Sequence, residues 1–159
     1  EDYIAIQQVR YKNRLHYEIQ INEQLKQMRI LRFLLQPLVE NCFSHGFRDA
    51  RTAMDITLSC QDRPEGLLFT IHDNGAGLSS ERLRYVRDLL EKAAAGVFET
   101  SAAEPLADVG GELVESRDTP VGIRNVHARV RLKYGVPYGV TVESEAGEGT
   151  TVRLLVPVL

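Results

Sequence analysis

The stretch IHDNGAGLSSERL at residues 71–83 decides the fold class, because it joins a strand to a helix through a turn that contains two glycines. The residues before the turn, 67–71, alternate apolar with polar side chains, which is typical of a half-buried strand. Asp73–Gly77 on its own is ordinary turn chemistry and is common in hairpins. The pattern after it is helical, from Ser79 or Ser80 to about Ala95, which disfavours a simple hairpin.

The residues upstream of this stretch predict a helix, a strand, a second helix and a further strand. Residues 2–13 have helical spacing, and residues 15–21 alternate as a half-buried strand. The most helical segment places five apolar residues on one face: Leu31, Leu34, Leu35, Leu38 and Cys42. Pro37 either kinks this helix or marks its start near Gln36, and Gly46 ends it. Residues 54–60 alternate again and lead into the strand at 67–71 through a hairpin at Arg63–Gly66.

The residues downstream predict a long loop, a helix and two strands. Residues 96–121 show little periodicity, and a loop of that length inside a compact domain is usually functional or mobile. The helix at 123–132 is expected to bury Ile123, Val126, Val130 and Leu132. Strands at 139–144 and 150–157 follow. This order predicts an α/β fold, a two-layer sandwich in which helices cover one face of a mixed sheet.

Composition excludes several classes of protein. The chain has 159 residues and a formal charge of −3, so no long-range attraction to nucleic acid or to an anionic membrane is expected. Cys42 and Cys60 have the pattern of ordinary buried thiols, and their spacing does not suggest a zinc site. No apolar run approaches the roughly 20 residues that cross a bilayer. The chain starts at Glu1, so we expect it to be part of a longer protein.

Four short motifs bring polar groups or glycines to the ends of these elements. In residues 35–46, Asn41 and His45 lie one turn apart at the border of the apolar stripe, suited to magnesium and phosphate oxygens. Alternatively, these side chains only face water. In residues 73–77, two glycines let the backbone approach a flat ligand, and Asp73 can accept a hydrogen bond from an exocyclic amine.

The other two motifs lie in the second half of the chain. Residues 120–126, Pro-Val-Gly-Ile-Arg-Asn-Val, place a glycine where the loop becomes a helix, and the first N–H groups of a helix are a ready site for anions. A loop that simply ends at a helix is equally common. Residues 147–150, Gly-Glu-Gly-Thr, taken alone are a hairpin turn.

In this order the motifs resemble the N, G1, G2 and G3 boxes of the GHKL ATPase superfamily. That superfamily includes histidine kinases, gyrase-type topoisomerases, mismatch-repair ATPases and a heat-shock chaperone. Leu-Gln-Pro-Leu-Val-Glu-Asn at 35–41, Arg124-Asn125-Val126 and Tyr134-Gly135 resemble the LytS/YesM-type sensor histidine kinases. The opening residues 3–11 resemble the segment that follows the phosphoacceptor helices in that class. The resemblance covers nearly the whole chain.

The resemblance implies a Bergerat-type sandwich with ATP between the helices and a mobile lid at about 96–121. Asp73 would accept a hydrogen bond from the adenine amino group. Gly75 and Gly77 would give the base room, and Thr150 would line the adenine side. The domain itself would span residues 14–159, preceded by the end of a linker helix at 1–13.

The same resemblance implies a second set of residues around the phosphates. Asn41 would bind the magnesium ion, and Glu40 would be the catalytic base or the group that orients water. His45, Gly122 and Asn125 would lie near the phosphates.

The chemistry implied is transfer of the ATP γ-phosphoryl group to a histidine outside this chain. That acceptor would lie upstream, in a helical hairpin of the same kinase, commonly in an Asn-Pro-His-Phe-like motif that is absent from the sequence. We interpret His16, His72 and His127 as structural or surface residues. The fragment is therefore expected to be soluble and monomeric, and to bind ATP without phosphorylating itself. Its parent would be a membrane-bound sensor with this domain in the cytoplasm and a response regulator as an indirect partner.

Two departures from the family pattern leave alternatives open. Ser44 stands where the family often has lysine, and Pro120 stands where the G2 box usually has glycine, so phosphate binding is expected to be weaker. These departures favour a degenerate, non-catalytic regulatory module with the same fold. Retention of Glu40, Asn41 and Asp73 opposes that alternative. An ATPase that uses water as acceptor and an anti-sigma-factor serine kinase are further alternatives.

Overall fold

A computed structural model describes residues 2–11, 14–46, 53–95 and 121–159. The helices are α1 (Asp2–Tyr11), α2 (Glu23–Lys26), α3 (Leu35–Asn41), α4 (Ser80–Ala94) and α5 (Val121–Tyr134). A π-helical turn, Cys42–Gly46, extends α3. The strands are β1 (Leu15–Gln20), β2 (Met54–Arg63), β3 (Gly66–Asp73), β4 (Gly139–Glu145) and β5 (Gly149–Val156).

The five strands form one mixed sheet in the order β1-β2-β3-β5-β4. β1 runs parallel to β2, and the remaining neighbours are antiparallel. Alternate residues of each strand share a face, so one face collects the buried apolar side chains. In β3 these are Leu67, Phe69 and Ile71, which lie opposite Val156, Leu154 and Val152 of β5.

The helices cover that buried face and supply the second half of the core. α5 contacts α3, α4 and β4, and its inward residues include Ile123, Val126 and Val130. Pro37 falls in the first turn of α3, where the missing N–H has no intrahelical partner to lose. The Ser79 side chain caps α4 by accepting a hydrogen bond from the Arg82 N–H at 3.2 Å. The two-layer sandwich with a mixed sheet is therefore confirmed.

Most of the predicted elements lie within a few residues of their expected positions, but two expectations were wrong in detail. Leu132 is 67% exposed rather than buried, because it lies two residues after Val130 and a two-residue step rotates a helical side chain by about 200°. Tyr17, which alternation placed on the buried side of β1, is also exposed, and Leu15 is the only buried residue of this edge strand. The lid expected at 96–121 lies, except for Val121, outside the described residues. Among the helices that are described, none is long and apolar enough to cross a bilayer.

The free edge of the sheet, along β4, is covered by side chains from α4 and α5. His127 is 4% exposed, and its Nδ1 accepts a hydrogen bond from the Val140 N–H at 2.9 Å. Arg87 donates from Nε and Nη2 to the Val142 carbonyl, at 3.3 and 3.1 Å. Burial lowers the pKa of His127, and the Arg131 guanidinium lowers it further, although the Val140 carbonyl acts in the opposite direction. The imidazole is therefore neutral near pH 7.

We expect His127 to make the fold sensitive to acid. An unfolded histidine takes up a proton near pH 6.5, whereas folded His127 resists it, so the free energy of unfolding should fall as pH decreases through this range. His127→Asn should lower that free energy at pH 7 by roughly 1–3 kcal/mol and should flatten its pH dependence. Urea denaturation at pH 5, 6 and 7 measures both effects. The matched variant His16→Asn makes the same change at an exposed position and should leave the free energy of unfolding at pH 7 unchanged. Parallel pH profiles for wild type and His127→Asn would contradict the account.

Candidate functional site

The candidate site is centred on Asp73, the last residue of β3. Asp73 continues the alternation of Leu67, Phe69 and Ile71, so its carboxylate points toward the helices and is only 4% exposed. In the sheet it lies opposite Ile56 of β2 and Thr150 of β5. A carboxylate in such a position is costly unless hydrogen bonds satisfy it.

Several groups satisfy part of the hydrogen-bonding capacity of Asp73. The Gly75 N–H donates to Oδ1 at 2.9 Å, and the Thr150 N–H also stabilises the ionised form. The Cys42 thiol lies within reach of both the carboxylate and the Leu38 carbonyl. Burial nevertheless dominates and raises the pKa of Asp73. A carboxylate has about four acceptor positions, so Asp73 retains capacity for a donor from a ligand.

A network centred on Ser144 holds the strand ends around Asp73. Ser144 of β4 pairs with Thr150 of β5, which pairs with Asp73, so the three residues form a row across the sheet. The Ser144 hydroxyl donates to the Gly149 carbonyl at 2.7 Å and accepts from the Leu78 N–H at 2.9 Å. It also lies 2.9 Å from the Thr150 hydroxyl. The loop after Asp73 is thereby fixed to the β4–β5 hairpin.

Two glycines allow the backbones of these segments to touch. Gly77 has φ +65°, and a Cβ there would lie 1.9 Å from the Glu145 carbonyl oxygen. Gly149 has φ +96°, and a Cβ there would lie 2.0 Å from the Asp73 carbonyl oxygen. Because both conformations are left-handed and both spaces are filled by backbone, no other residue fits without displacing the loop.

Asn41 and Gly122 are brought together where α3 meets the start of α5. The Asn41 side chain donates from Nδ2 to the Pro37 carbonyl at 2.5 Å, and within the described residues its Oδ1 has no hydrogen-bond donor. A Cβ on Gly122 would lie 3.2 Å from both Asn41 Nδ2 and the Pro37 carbonyl oxygen. No group of three or more His, Cys, Asp or Glu suited to a metal occurs among the residues described. A single amide oxygen is consistent with a magnesium ion held mainly by phosphates and water.

Glu40 lies beside Asn41 on the half-exposed side of α3. The Gln36 side chain donates to its carboxylate at 2.9 Å. Burial raises the pKa of Tyr3, and the negative charge of Glu40 raises it further. This interaction indicates that α1 reaches the side of α3 that carries Glu40. The Ser44 hydroxyl donates to the Glu40 carbonyl at 3.1 Å and supplies no charge to the site.

The remaining predicted residues are placed less completely. Asn125 is exposed on α5. His45 belongs to the π-helical turn, but its side chain lies outside the described residues, as does the whole of Pro120.

The sequence did not reveal the role of two residues that support Asp73. Cys42 was seen only as a buried thiol, and the one signal for Ser144 was a hydroxyl at the end of a strand.

The model of the histidine kinase-, DNA gyrase B- and HSP90-like ATPase family matches residues 27–159, so the chain belongs to that family. Among curated proteins it is similar to the sensor protein kinase HptS of Staphylococcus aureus, at 29% identity over 157 residues. That match covers 99% of this chain but only 26% of HptS, so the chain spans about a quarter of the length of these relatives.

Two solved structures support the fold. The blue-light activated histidine kinase of Erythrobacter litoralis EL346 matches 98% of this chain and 57% of its own, with a TM-score of 0.54 and 15% identity. The catalytic domain of the histidine kinase ThkA matches 98% of this chain and 87% of its own, with a TM-score of 0.56 and 12% identity. At these identities the likeness establishes the fold alone.

We predict that alanine is not tolerated at the two tightly packed glycines. Gly77→Ala and Gly149→Ala combine left-handed strain with a backbone clash, so each should lower the free energy of unfolding by roughly 2–5 kcal/mol. Gly147→Ala is the matched control, because Gly147 has φ +87° with open space around its Cβ position. It should cost only about 1–2 kcal/mol. Urea denaturation of the three variants measures the difference, and equal losses would contradict the packing argument.

Proposed function

We propose that this chain is the ATP-binding catalytic domain of a LytS/YesM-type sensor histidine kinase. In this proposal it transfers the γ-phosphoryl group of ATP to a histidine outside the chain. The observation that carries the proposal is Asp73, a buried carboxylate with spare acceptor capacity, followed by a loop in which Gly77 packs directly against the Glu145 backbone. Such an acceptor suits the exocyclic amino group of adenine. The sequence Leu-Gln-Pro-Leu-Val-Glu-Asn at residues 35–41 supports the LytS/YesM subclass.

The residues present fit ATP with magnesium. Asp73 would hold the adenine amino group, Gly75 and Gly77 would pass close to the base, and Thr150 would support the carboxylate from β5. Magnesium would neutralise phosphate charge, with Oδ1 of Asn41 as its ligand from the protein. Gly122 beside Asn41 would bring the free N–H groups at the start of α5 toward the phosphates, with Asn125 and His45 nearby.

Glu40 is the candidate base. A neutral imidazole is already nucleophilic, so the protein has mainly to position it and to accept its proton. The Gln36 amide holds the Glu40 carboxylate on the accessible side of α3. From there Glu40 would accept the imidazole proton of an acceptor that docks from outside.

We also propose the domain limits and the partners. Residues 1–13 would be the end of the linker from the phosphoacceptor hairpin, and residues 14–159 the catalytic domain with its lid near 96–121. The packing of α1 supports this, since Tyr11 stacks on Phe43 at 5.6 Å and Tyr3 meets the same ring edge-on at 6.0 Å. The relatives are sensor kinases about four times longer, which supports a membrane-bound sensor with this domain in the cytoplasm and a response regulator as indirect partner.

ATP titration by calorimetry, with and without magnesium, tests the proposed site. Wild type should bind ATP with micromolar to millimolar affinity. Asp73→Asn should bind roughly 10–100-fold more weakly, because it removes a charged hydrogen-bond acceptor. Asp62→Asn is the matched control, since Asp62 is exposed at the far end of β2. No binding or thermal stabilisation of wild type at millimolar ATP would overturn the proposal and favour a regulatory module.

The raised pKa of Asp73 predicts that binding of the base depends on pH. The ionised carboxylate accepts a charge-assisted hydrogen bond from the adenine amino group, whereas the protonated acid accepts only a weaker neutral one, so affinity should fall as pH decreases through that raised pKa. Adenosine is the probe because it has no phosphate to titrate. Its affinity should fall on acidification in wild type, starting at a higher pH than for an ordinary aspartate, and should stay flat in Asp73→Asn. A flat wild-type profile would argue against a direct contact with Asp73.

A further inference from the structure

A second candidate site is a cleft of about 600 Å³ between α4, α5 and β4. None of the residues that line it belongs to the proposed nucleotide site. Its walls are apolar at Leu90, Val140 and Val142, and cationic at Arg87 and Arg131. His127 also lines it. The cleft therefore combines an apolar surface with an excess of hydrogen-bond donors.

His127 contributes a buried ring nitrogen, Nε2, that has no hydrogen-bond partner within the described part of the chain. Its Nδ1 lies 2.9 Å from the Val140 amide nitrogen and 3.0 Å from the Val140 carbonyl oxygen, so the tautomer sets the role of Nε2. In the tautomer whose Nδ1 accepts from the Val140 N–H, Nε2 carries the proton and is a donor. Nε2 is buried and unpartnered, in a residue that is only 4% exposed. A buried polar atom without a partner is costly, so a ligand that pairs with it is favoured.

Arg131 contributes two more donors beside the imidazole. Its Nε and Nη1 are buried and find no hydrogen-bond acceptor in residues 2–11, 14–46, 53–95 or 121–159. A Cβ on Gly139 would lie 3.0 Å from His127 Nδ1 and 3.2 Å from Arg131 Nε. The absence of a side chain at Gly139 thus lets the imidazole and the guanidinium group pack side by side against β4.

The acidic residues at the cleft do not neutralise this cluster in the structure. Glu143 is paired with Arg153 at 2.6 Å, and that hydrogen bond and charge lower the pKa of its carboxyl group. Glu91 is exposed on α4 and is the internal competitor for Arg131. Arg87 adds positive charge, although its Nε and Nη2 already donate to the Val142 carbonyl.

We propose that this cleft binds an oxyanion, a carboxylate or phosphate group, through Arg131, with the Nε2–H of His127 as a further donor in the tautomer whose Nδ1 accepts from the Val140 N–H. The anion accepts from the unsatisfied donors, and an attached apolar group rests on Leu90, Val140 and Val142. Guanidinium donors form their strongest hydrogen bonds with these two anions. The cleft uses none of the residues around Asp73, so the anion and ATP would bind through different side chains.

NMR titration of the domain with inorganic phosphate, and separately with acetate, at constant ionic strength tests the proposal. Saturable shifts of the Gly139 and Val140 amides are expected, and Asp73→Asn should give the same shifts. Arg131→Met should weaken binding at least about tenfold, as expected for loss of charge-assisted hydrogen bonds. Arg131→Lys, which keeps the charge and guards against misfolding, should weaken it less. Arg129→Met, on the exposed side of α5, is the matched control and should bind as wild type does.

A second titration, with a short peptide rich in aspartate and glutamate, distinguishes an acidic partner protein from a small-molecule anion. Shifts by the peptide at lower concentration than by phosphate or acetate indicate an acidic partner protein, and the reverse order indicates a small-molecule anion. Equal shifts with chloride would overturn the proposal, as would no shift of these amides with any probe. Binding that appears only in the Glu91→Gln variant would also overturn the proposal, because the Glu91 carboxylate would then occupy the site in the native protein.

Discussion

The burial of one carboxylate, that of Asp73, is the constraint on which the site depends. Asp73 occupies the position in β3 where alternation would place another core side chain, and hydrogen bonds offset only part of the cost of burying its charge. Thr150 and Ser144 extend its row across the sheet, and Gly149 closes the hairpin against its backbone. The strand register and the β4–β5 turn therefore fix the position of this one acceptor.

The helical layer contributes to two proposed binding sites, the nucleotide site and the anion cleft. At one end of α5, Gly122 packs against Asn41 and Pro37, which joins α5 to the helix that carries Glu40. Farther along the same helix, His127 and Arg131 lie against the edge strand β4 and form a cluster of donors. α5 thus takes part in both the proposed nucleotide site and the proposed anion cleft. The two sites share an element without sharing a side chain.

Local patterns in the sequence predicted the helices and strands, but they could not predict the contacts between distant segments. The alternation through Ile71 and the Ser79 cap located β3 and α4, and the resemblance to a family identified Asp73 and Asn41 as site candidates. The part played by Ser144 depends on the register of β5 between β3 and β4, which no local pattern encodes. For the same reason His127 was interpreted only as a structural or surface residue, because its buried, unpartnered Nε2 results from the packing of α5 against β4.

The most direct test of the account is a crystal structure of the domain with magnesium and a non-hydrolysable ATP analogue. The account predicts an adenine amino group within about 3 Å of the Asp73 carboxylate, as for an ordinary hydrogen bond. It also predicts magnesium on Oδ1 of Asn41 and phosphates near Gly122. A nucleotide bound elsewhere, or an adenine that does not contact Asp73, would contradict the central claim.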